Sequence, residues 1–216
     1  MAIAIVNQTS GGSTPITIPT PTAGNLLVLV AIEISTSANT WGTHSISGSP
    51  GGNFTAGTGF TRGTAAHRVV VSGDSTSVTI GNGGGGFRAF IFELSGMDTT
   101  SPFDRAAGTT FASASSAASP LGAAIAQAEE FVVTIFGHNG TNGTPTGITD
   151  SFTHWTPTDT RRGGGYRTTS SVVTPNPTLS WPTARAGQYV ISAWKGAAAA
   201  AADMLDPMGM TGFFGA

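Results

Sequence analysis

The chain of 216 residues contains no cysteine, a single lysine and few charges of either sign. Without cysteine it has no disulfide, no thiolate metal site and no cysteine nucleophile, which agrees with synthesis in the cytoplasm. Only 9% of the residues are charged, against about 25% in an average soluble domain. The net charge of −2 lacks the cationic excess that binding to nucleic acid or to an anionic membrane requires. We therefore expect neither as a partner.

Long apolar runs are missing as well. The longest run is far shorter than the roughly 18 residues of a membrane-spanning helix. The first residues, Met1 to Val6, lack a basic segment, so they are predicted to form a strand rather than a signal peptide. We expect a protein that is made in the cytoplasm and is not secreted.

Helical periodicity is nearly absent, and short apolar runs alternate with Gly, Pro, Ser, Thr and Asn clusters. Four runs are too continuously apolar to expose a face to water and predict central strands: Leu26 to Ile32, Phe87 to Leu94, Phe131 to Phe136 and Tyr189 to Trp194. Weaker strands are predicted at His67 to Val71, Ser77 to Ile80, Ser170 to Thr174 and Thr178 to Trp181. This pattern predicts an all-β fold, an antiparallel, jelly-roll-like β-sandwich over residues 1–196.

Other segments are predicted from their composition. The prolines of Thr14 to Pro19 favour a sheet edge, because proline cannot donate to a strand ladder. Long Gly, Ser, Thr and Asn-rich linkers are predicted at Ser35 to Phe60, Thr109 to Ala128 and Gly137 to Gly165. Within the second of these, Ala112 to Ala128 is predicted to form a short helix interrupted by Pro120 and Gly122.

The composition changes after Gly196. Six alanines are followed by a stretch that holds most of the methionine in the chain. We predict that residues 197–216 form a non-globular tail that docks on another subunit, because Met and Phe side chains adapt to apolar surfaces. The alternatives are that the tail folds back on its own sandwich or is disordered. The residues expected to make these contacts are Met204, Leu205, Met208, Met210, Phe213 and Phe214.

Catalytic signatures are weak. Glu33 and Glu93 lie in apolar strands and, if they faced one cleft, could act as the acid and nucleophile of a glycosidase. The alternative is that Arg68 or Arg88 pairs with them structurally. The four histidines show no metal-binding spacing, and no Gly-x-Ser-x-Gly elbow is present. We therefore predict no catalytic residue, no metal and no cofactor.

Two glycine-rich segments resemble functional motifs, but each is better interpreted as a loop. Gly81 to Gly86 matches Gly-x-Gly-x-x-Gly, but a strand rather than a helix is predicted after it, so a hairpin loop is expected. Arg161 to Arg167 places three arginines beside Tyr166 and could stack on bases. Because the chain is acidic overall, a flexible loop whose arginines pair with acids across a subunit contact is favoured.

Aromatic side chains offer a binding alternative. Trp41, Trp155 and Tyr166, with Trp181, could form a platform on which sugars stack, or they could be apolar plugs between loops and sheets. Trp194 ends an apolar run and is predicted to lie in the core.

A family resemblance rests on two stretches. The first is Gly24-Asn25-Leu26-Leu27-Val28-Leu29-Val30, followed by Trp41-Gly42. The second is Phe90-Ile91-Phe92-Glu93-Leu94-Ser95-Gly96-Met97-Asp98 with Ser101-Pro102-Phe103-Asp104. Together they resemble a β-sandwich module that recurs in virion proteins of tailed bacteriophages, although Met97 stands where a β-branched residue is more usual and Glu129-Glu130 where a second Gly-Asp-Leu turn is expected.

The resemblance implies a structural role. Such modules occur in head decoration proteins, head fibres and tail or fibre components, so we expect a noncatalytic subunit located in the virion after synthesis in the host cytoplasm. Its expected partners are the major capsid or tail protein and further copies of itself. A trimer is expected first, because capsid lattices offer threefold sites. The alternative is a tail-fibre-type adhesin or carbohydrate-binding module that recognises host glycans through Trp41, Trp155 and Tyr166.

Overall fold

The computed structural model describes residues 2–33, 41–60, 62–81, 86–140, 143–155 and 160–198. Regular structure in this part of the chain consists of strands, and every strand pair in it is antiparallel. The predicted all-β, antiparallel sandwich is confirmed. Its jelly-roll connectivity stays a prediction.

The strands, numbered in chain order, form three sheets. The first large sheet has the order β1 (Ala4–Gly11), β9 (Phe87–Ser95), β3 (Leu26–Glu33), β7 (Gly63–Val69) and β6 (Thr55–Phe60). The second large sheet has the order β10 (Phe103–Ala118), β15 (Thr178–Lys195), β11 (Glu130–His138), β14 (Arg162–Thr168) and β13 (Thr153–Trp155), and β12 (Gly147–Ile148) also pairs with β15. The small sheet has the order β2 (Ile16–Thr17), β8 (Asp74–Thr79), β4 (Ser45–Gly48) and β5 (Gly52–Asn53).

Strand β3 explains why its sequence is apolar throughout. Its even-numbered residues, such as Val28 and Val30, lie in the core between the two large sheets. Its odd-numbered residues, such as Leu27 and Leu29, lie in a second core beneath the small sheet. Because successive side chains of a strand point to opposite faces, a strand covered on both sides needs an apolar residue at every position.

A third core covers the outer face of the second large sheet. The regular pairing of β10 with β15 is interrupted by shifts of register on both sides of Ala114. Leu179 and Trp181, near the start of β15, pack in the same cluster as Tyr189 and Ile191 from its later part. The Trp181 indole N–H donates to the Ala114 carbonyl (2.8 Å). The second large sheet is therefore also apolar on both faces.

Several predictions for individual segments are confirmed. The four apolar runs coincide with β3, β9, β11 and the last part of β15. The Pro-flanked segment forms β2 at an edge of the small sheet. Trp194 is fully buried in the core between the large sheets.

Other predictions are wrong. The expected helix at Ala112 to Ala128 is absent, because β10 extends to Ala118 and no helix follows it up to Ala128. The strand expected at Ser170 to Thr174 is irregular chain. The three long linkers contain strands β4 to β6, much of β10, and β12 and β13. Gly81 to Gly86 joins β8 to β9, which lie in different sheets, so it is not a hairpin loop; its residues 82–85 lie outside the described part.

Candidate functional site

The end of β15 fixes the point at which the chain leaves the sandwich. Gly196 bridges to Met97, and its N–H donates to the Glu129 carbonyl (2.8 Å). The Ala197 N–H donates to the Gly96 carbonyl (2.8 Å). The predicted docking residues Met204, Leu205, Met208, Met210, Phe213 and Phe214 lie outside the described residues. The segment that carries them therefore starts from a position held from two sides.

A buried carboxyl group lies beside this exit. Glu130 accepts a hydrogen bond from the Gln127 N–H (3.1 Å), while the Gln127 side chain donates to the Gly196 carbonyl (2.9 Å). Burial, and then the neighbouring Asp104 carboxylate, raise the pKa of Glu130 to about 7. Asp104 in turn forms an ion pair with Arg105 (3.0 Å). This group therefore changes its charge near neutral pH.

The three rings predicted to contact glycans do not share one surface. Trp155 is only 9% exposed, and its ring stacks on Phe90 with centroids 3.8 Å apart. Tyr166 packs against the same core and lies edge-on to Phe92. Trp41 instead packs against the core beneath the small sheet, on the other face of the first large sheet. Trp155 and Tyr166 therefore act as apolar plugs rather than as a sugar platform.

Trp41 lines a pocket of about 320 Å³ with His44, Phe54 and Thr64. Its indole nitrogen is buried without a hydrogen-bond partner. Burial lowers the pKa of His44 to about 4, and its Nδ1 accepts a hydrogen bond from the Gly81 N–H (3.1 Å). Trp41, one of the three rings predicted to contact glycans, therefore lines an open cavity whose lining residues are uncharged.

The proposed pair of glycosidase carboxylates is separated. Strand β9 places Phe87 opposite Glu33 and Glu93 opposite Leu27. The two glutamates are thus six positions apart along one strand pair, about 20 Å at a strand rise of roughly 3.3 Å. Carboxyl pairs of glycosidases are at most about 9.5 Å apart. This geometry does not support the glycosidase hypothesis.

The hydrogen bonds of Glu93 indicate a structural role for this carboxylate. Burial alone would raise its pKa, but hydrogen bonds from the Asn7 side chain (2.7 Å), the Thr22 N–H (2.8 Å) and the Asn25 side chain (2.7 Å) hold the pKa below its usual range. The carboxylate therefore ties β9 to the turn before β3 and to β1. Of the two arginines considered as partners of the glutamates, Arg68 binds Asp74 instead (2.6 Å).

The arginine-rich segment is mostly a strand rather than a flexible loop. Arg162 to Thr168 form β14, where the three glycines are buried. Gly164 must lack a side chain, because a Cβ there would collide with the Thr134 carbonyl and the Trp155 ring. Arg167 forms an ion pair with Asp150 (3.0 Å) within the same chain. These contacts do not favour base stacking.

A polar pocket of about 280 Å³ lies at the end of the sandwich where β3 and β11 finish. It is lined by Arg62, Thr110, Phe111, Gly137, His138, Asn139, Ala186, Gly187 and Gln188. One local signal for this site was missed: Gln188 is a polar residue directly before the apolar run that begins at Tyr189. Its other lining residues come from strands that only the fold brings together.

No family model matches this chain, and no curated protein or solved structure shows significant similarity to it. Within the described part of the chain, no helix has the length and hydropathy of a membrane span. What the protein does must therefore be inferred from its own residues.

Proposed function

We propose that this chain is a noncatalytic structural subunit of a phage virion, a capsid decoration or surface appendage protein. It assembles through contacts of its sandwich and through residues 197–216, on further copies of itself and on a major capsid or tail protein. The observation that carries the proposal is the chain exit. Gly196 and Ala197 are bonded to Glu129 and Gly96, so a Met- and Phe-rich segment begins at a rigid point.

The residues of the family resemblance support the proposal because they meet in space. Asn25, from the first stretch, donates to Glu93 of the second (2.7 Å). Gly96 directly follows β9 and has a φ of 72°, a conformation that favours glycine. Asp98 then accepts hydrogen bonds from the N–H groups of Thr100 (2.8 Å) and Ser101 (3.1 Å). The two stretches thus form one structural unit.

Strand β10 supports assembly through the sandwich itself. It is 16 residues long, and within the described chain its ladder partner is β15 alone. Residues 106–118 contain neither a charge nor a proline. Natural edge strands usually carry such residues to block pairing with another chain. This edge is therefore suited to contact a second subunit.

The test is the solution mass of the full-length chain, measured by light scattering on a sizing column. We expect a defined oligomer, a trimer first, for the wild type and for the control variant Ala199→Ser/Ala200→Ser. The variant Phe213→Ser/Phe214→Ser, and a chain ended at Gly196, should be folded monomers. Monomers throughout would contradict self-assembly. An oligomer unchanged in the Phe variant and in the shortened chain would contradict the role of the tail.

A further inference from the structure

The described surface of the sandwich offers few apolar side chains to a docking segment. Its large exposed hydrophobic residues are three valines, Val6 in β1, Val71 after β7 and Val172 in the irregular chain before β15. Single exposed residues on different elements do not make a docking patch. A segment rich in Met and Phe therefore needs a recess in the surface.

The pocket beside Trp41 is such a recess. It is lined by Trp41, Gly42, Thr43, His44, Phe54, Ala56 and Thr64. Its volume of about 320 Å³ is at the low end of the range of small-molecule sites, about 300–1,000 Å³. The pocket therefore has room for one large side chain rather than for a strand. Trp41 is only partly buried by the core on which it packs.

The strand register places the pocket on the outer face of the first large sheet. Thr64 pairs with Ala31, and Ala56 pairs with Ala66. Residues directly opposite each other on neighbouring strands share a face of the sheet. Ala31, Ala66 and Phe54 belong to the core beneath the small sheet. The lining residues from β6 and β7 therefore face the same side as Trp41 does.

Hydrogen bonds fix the segment that carries Trp41. The Gly42 N–H donates to the Gly81 carbonyl (3.1 Å), and the Gly81 N–H donates to His44 Nδ1 (3.1 Å). The Trp41 ring lies edge-on to Phe87, with ring centroids 6.4 Å apart. The pocket is therefore formed before any ligand enters it.

Few polar groups of the pocket are available to a ligand. His44 is uncharged at neutral pH, because burial lowers its pKa to about 4. Its Nδ1 accepts from Gly81, and its Nε2 lies 3.5 Å from the Thr64 hydroxyl oxygen. The Trp41 indole nitrogen has no partner, but it is buried and so out of reach. An apolar side chain therefore suits the pocket better than a sugar ring with several hydroxyls does.

The charged groups near the pocket lie at the end of the sandwich where β3 finishes. Three arginines outnumber one carboxyl group there: Arg62, Arg88 and Arg162 against Glu33. Arg62 and Glu33 each have a partner within the chain, so no ion pair with a ligand is required of them. Residues 197–216 carry two aspartates and no basic residue. The field at this end therefore favours the approach of this segment.

The chain exit lies at the opposite end of the first large sheet. Gly196 bridges to Met97, just after β9, and the antiparallel partner β3 begins at this end. Thr64 instead pairs with Ala31, near the end where β3 finishes. Phe213 follows Gly196 by 17 residues, which span up to about 60 Å when extended. This length can connect copies arranged head to tail, and such contacts close into rings such as trimers.

We propose that the pocket beside Trp41 receives the ring of Phe213 or Phe214 from a second copy of this chain. Adjacent residues of an extended segment point to opposite sides, so one of the two rings enters. The aromatic walls formed by Trp41 and Phe54 suit a third ring, because aromatic rings pack favourably edge-to-face or offset. This inference rests on the proposed self-assembly through residues 197–216 and names the acceptor of that segment.

The experiment places the photo-cross-linking residue p-benzoylphenylalanine at position 213 of the full-length chain. Unlabelled and ¹⁵N-labelled chains are mixed while dissociated at low concentration, concentrated and irradiated, and the cross-linked peptides are identified by mass spectrometry. We expect cross-links to residues 41–56, in pairs that contain one chain of each label. Cross-links to residues 41–56 within single chains only, or no cross-link to these residues, would overturn the proposal.

Variants separate the pocket from the tail. Ala56→Leu fills the pocket from an exposed position of β6, so it should raise the dissociation constant of the oligomer about tenfold or more without lowering the melting temperature of the monomer. The matched control is Ala184→Leu, at an exposed position of β15 outside the pocket, which should assemble as the wild type does.

The outcomes distinguish this inference from the proposed function. An oligomer that persists in Ala56→Leu but dissociates in Phe213→Ser/Phe214→Ser would overturn the pocket as acceptor and leave the role of the tail intact. A monomeric wild type would overturn both.

Discussion

The two ends of the sandwich carry opposite charges. At the end where β3 finishes, Arg62, Arg88 and Arg162 lie on neighbouring strands and turns, together with one carboxyl group, that of Glu33. At the end where β15 finishes lie the carboxyl groups of Asp98, Asp104, Glu129 and Glu130, together with Arg105 and Lys195. A net charge of −2 therefore conceals a separation of charge along the molecule. The overall charge excludes a broadly basic surface but does not describe the field at either end.

The ends also differ in burial. Arg162 is 6% exposed and bonds across the two large sheets, whereas the Arg105 side chain is 33% exposed and pairs with the residue next to it. A charge that connects sheets within the protein contributes more than an exposed ion pair does. Arg162 is thus part of the structure, whereas the carboxylate end combines buried side chains, Glu130 and Asp104, with the exposed Glu129.

The largest expected effect contrasts one arginine from each end. We expect Arg162→Ala to lower the free energy of unfolding by about 3 kcal/mol, because its removal leaves buried polar partners unpaired. Arg105→Ala should cost less, about 1 kcal/mol, because this side chain is partly exposed and Asp104 keeps the hydrogen bond from the Ala126 N–H. Urea unfolding followed by tryptophan fluorescence measures both. Equal losses would contradict the contrast between the buried Arg162 and the partly exposed Arg105.

The next effect concerns Glu130 and pH. Its pKa of about 7 in the folded protein lies above the usual 4.5, so the folded state holds the proton more tightly than the unfolded state does. The free energy of unfolding contributed by this group therefore falls as pH rises from about 4.5 to about 7. Glu130→Gln should remove this fall and stabilise the protein above pH 7 by about 2 kcal/mol.

The difference between the wild type and the variant isolates this group from others that titrate. Asp104 faces Glu130, and Arg105 pairs with Asp104. His44 acts in the opposite sense, since its lowered pKa makes stability fall as pH drops from about 6.5 towards about 4. The control is the exposed neighbour, Glu129→Gln, which should leave the pH profile unchanged. Parallel pH profiles for wild type and Glu130→Gln would contradict the expectation.

The smallest expected effect concerns Asp98, at the carboxylate end. Hydrogen bonds from the Ser101 and Thr100 N–H groups lower the pKa of Asp98. Asp98→Ala removes both acceptor contacts and should cost about 1 kcal/mol. Asp98→Asn keeps an acceptor oxygen and should cost clearly less. Equal losses in thermal unfolding would show that the side-chain oxygen does not stabilise this turn.

The fold was predictable where one strand is covered on both faces. Leu26 to Ile32 shows no alternation because two cores need its side chains, and that signal is local. Strand β10 gives no such signal, since Ala, Ser, Thr and Gly fit a helix, a loop or a strand equally. Its conformation is determined by pairing with β15, far away in the chain. The helix predicted there was wrong for this reason.

The candidate sites show the same difference between local sequence signals and long-range contacts. The sequence shows that Trp155 and Tyr166 are aromatic but not that Phe90 and Phe92 cover them. The pocket around Gln188 combines residues from β10, β11, β15 and the turn before β7, so its composition depends on register. Only the polar residue at the edge of an apolar run pointed towards it.

The position of β15 has a mechanical consequence. Lys195 precedes the exit at Gly196, and β15 runs back from there between β10 on one side and β11 on the other. A pull on Ala197 along this strand loads the hydrogen bonds of both ladders together, from Trp194 to Gly187. Such bonds are strained in parallel rather than opened one after another. The molecule is therefore expected to resist a tension that is applied at this exit.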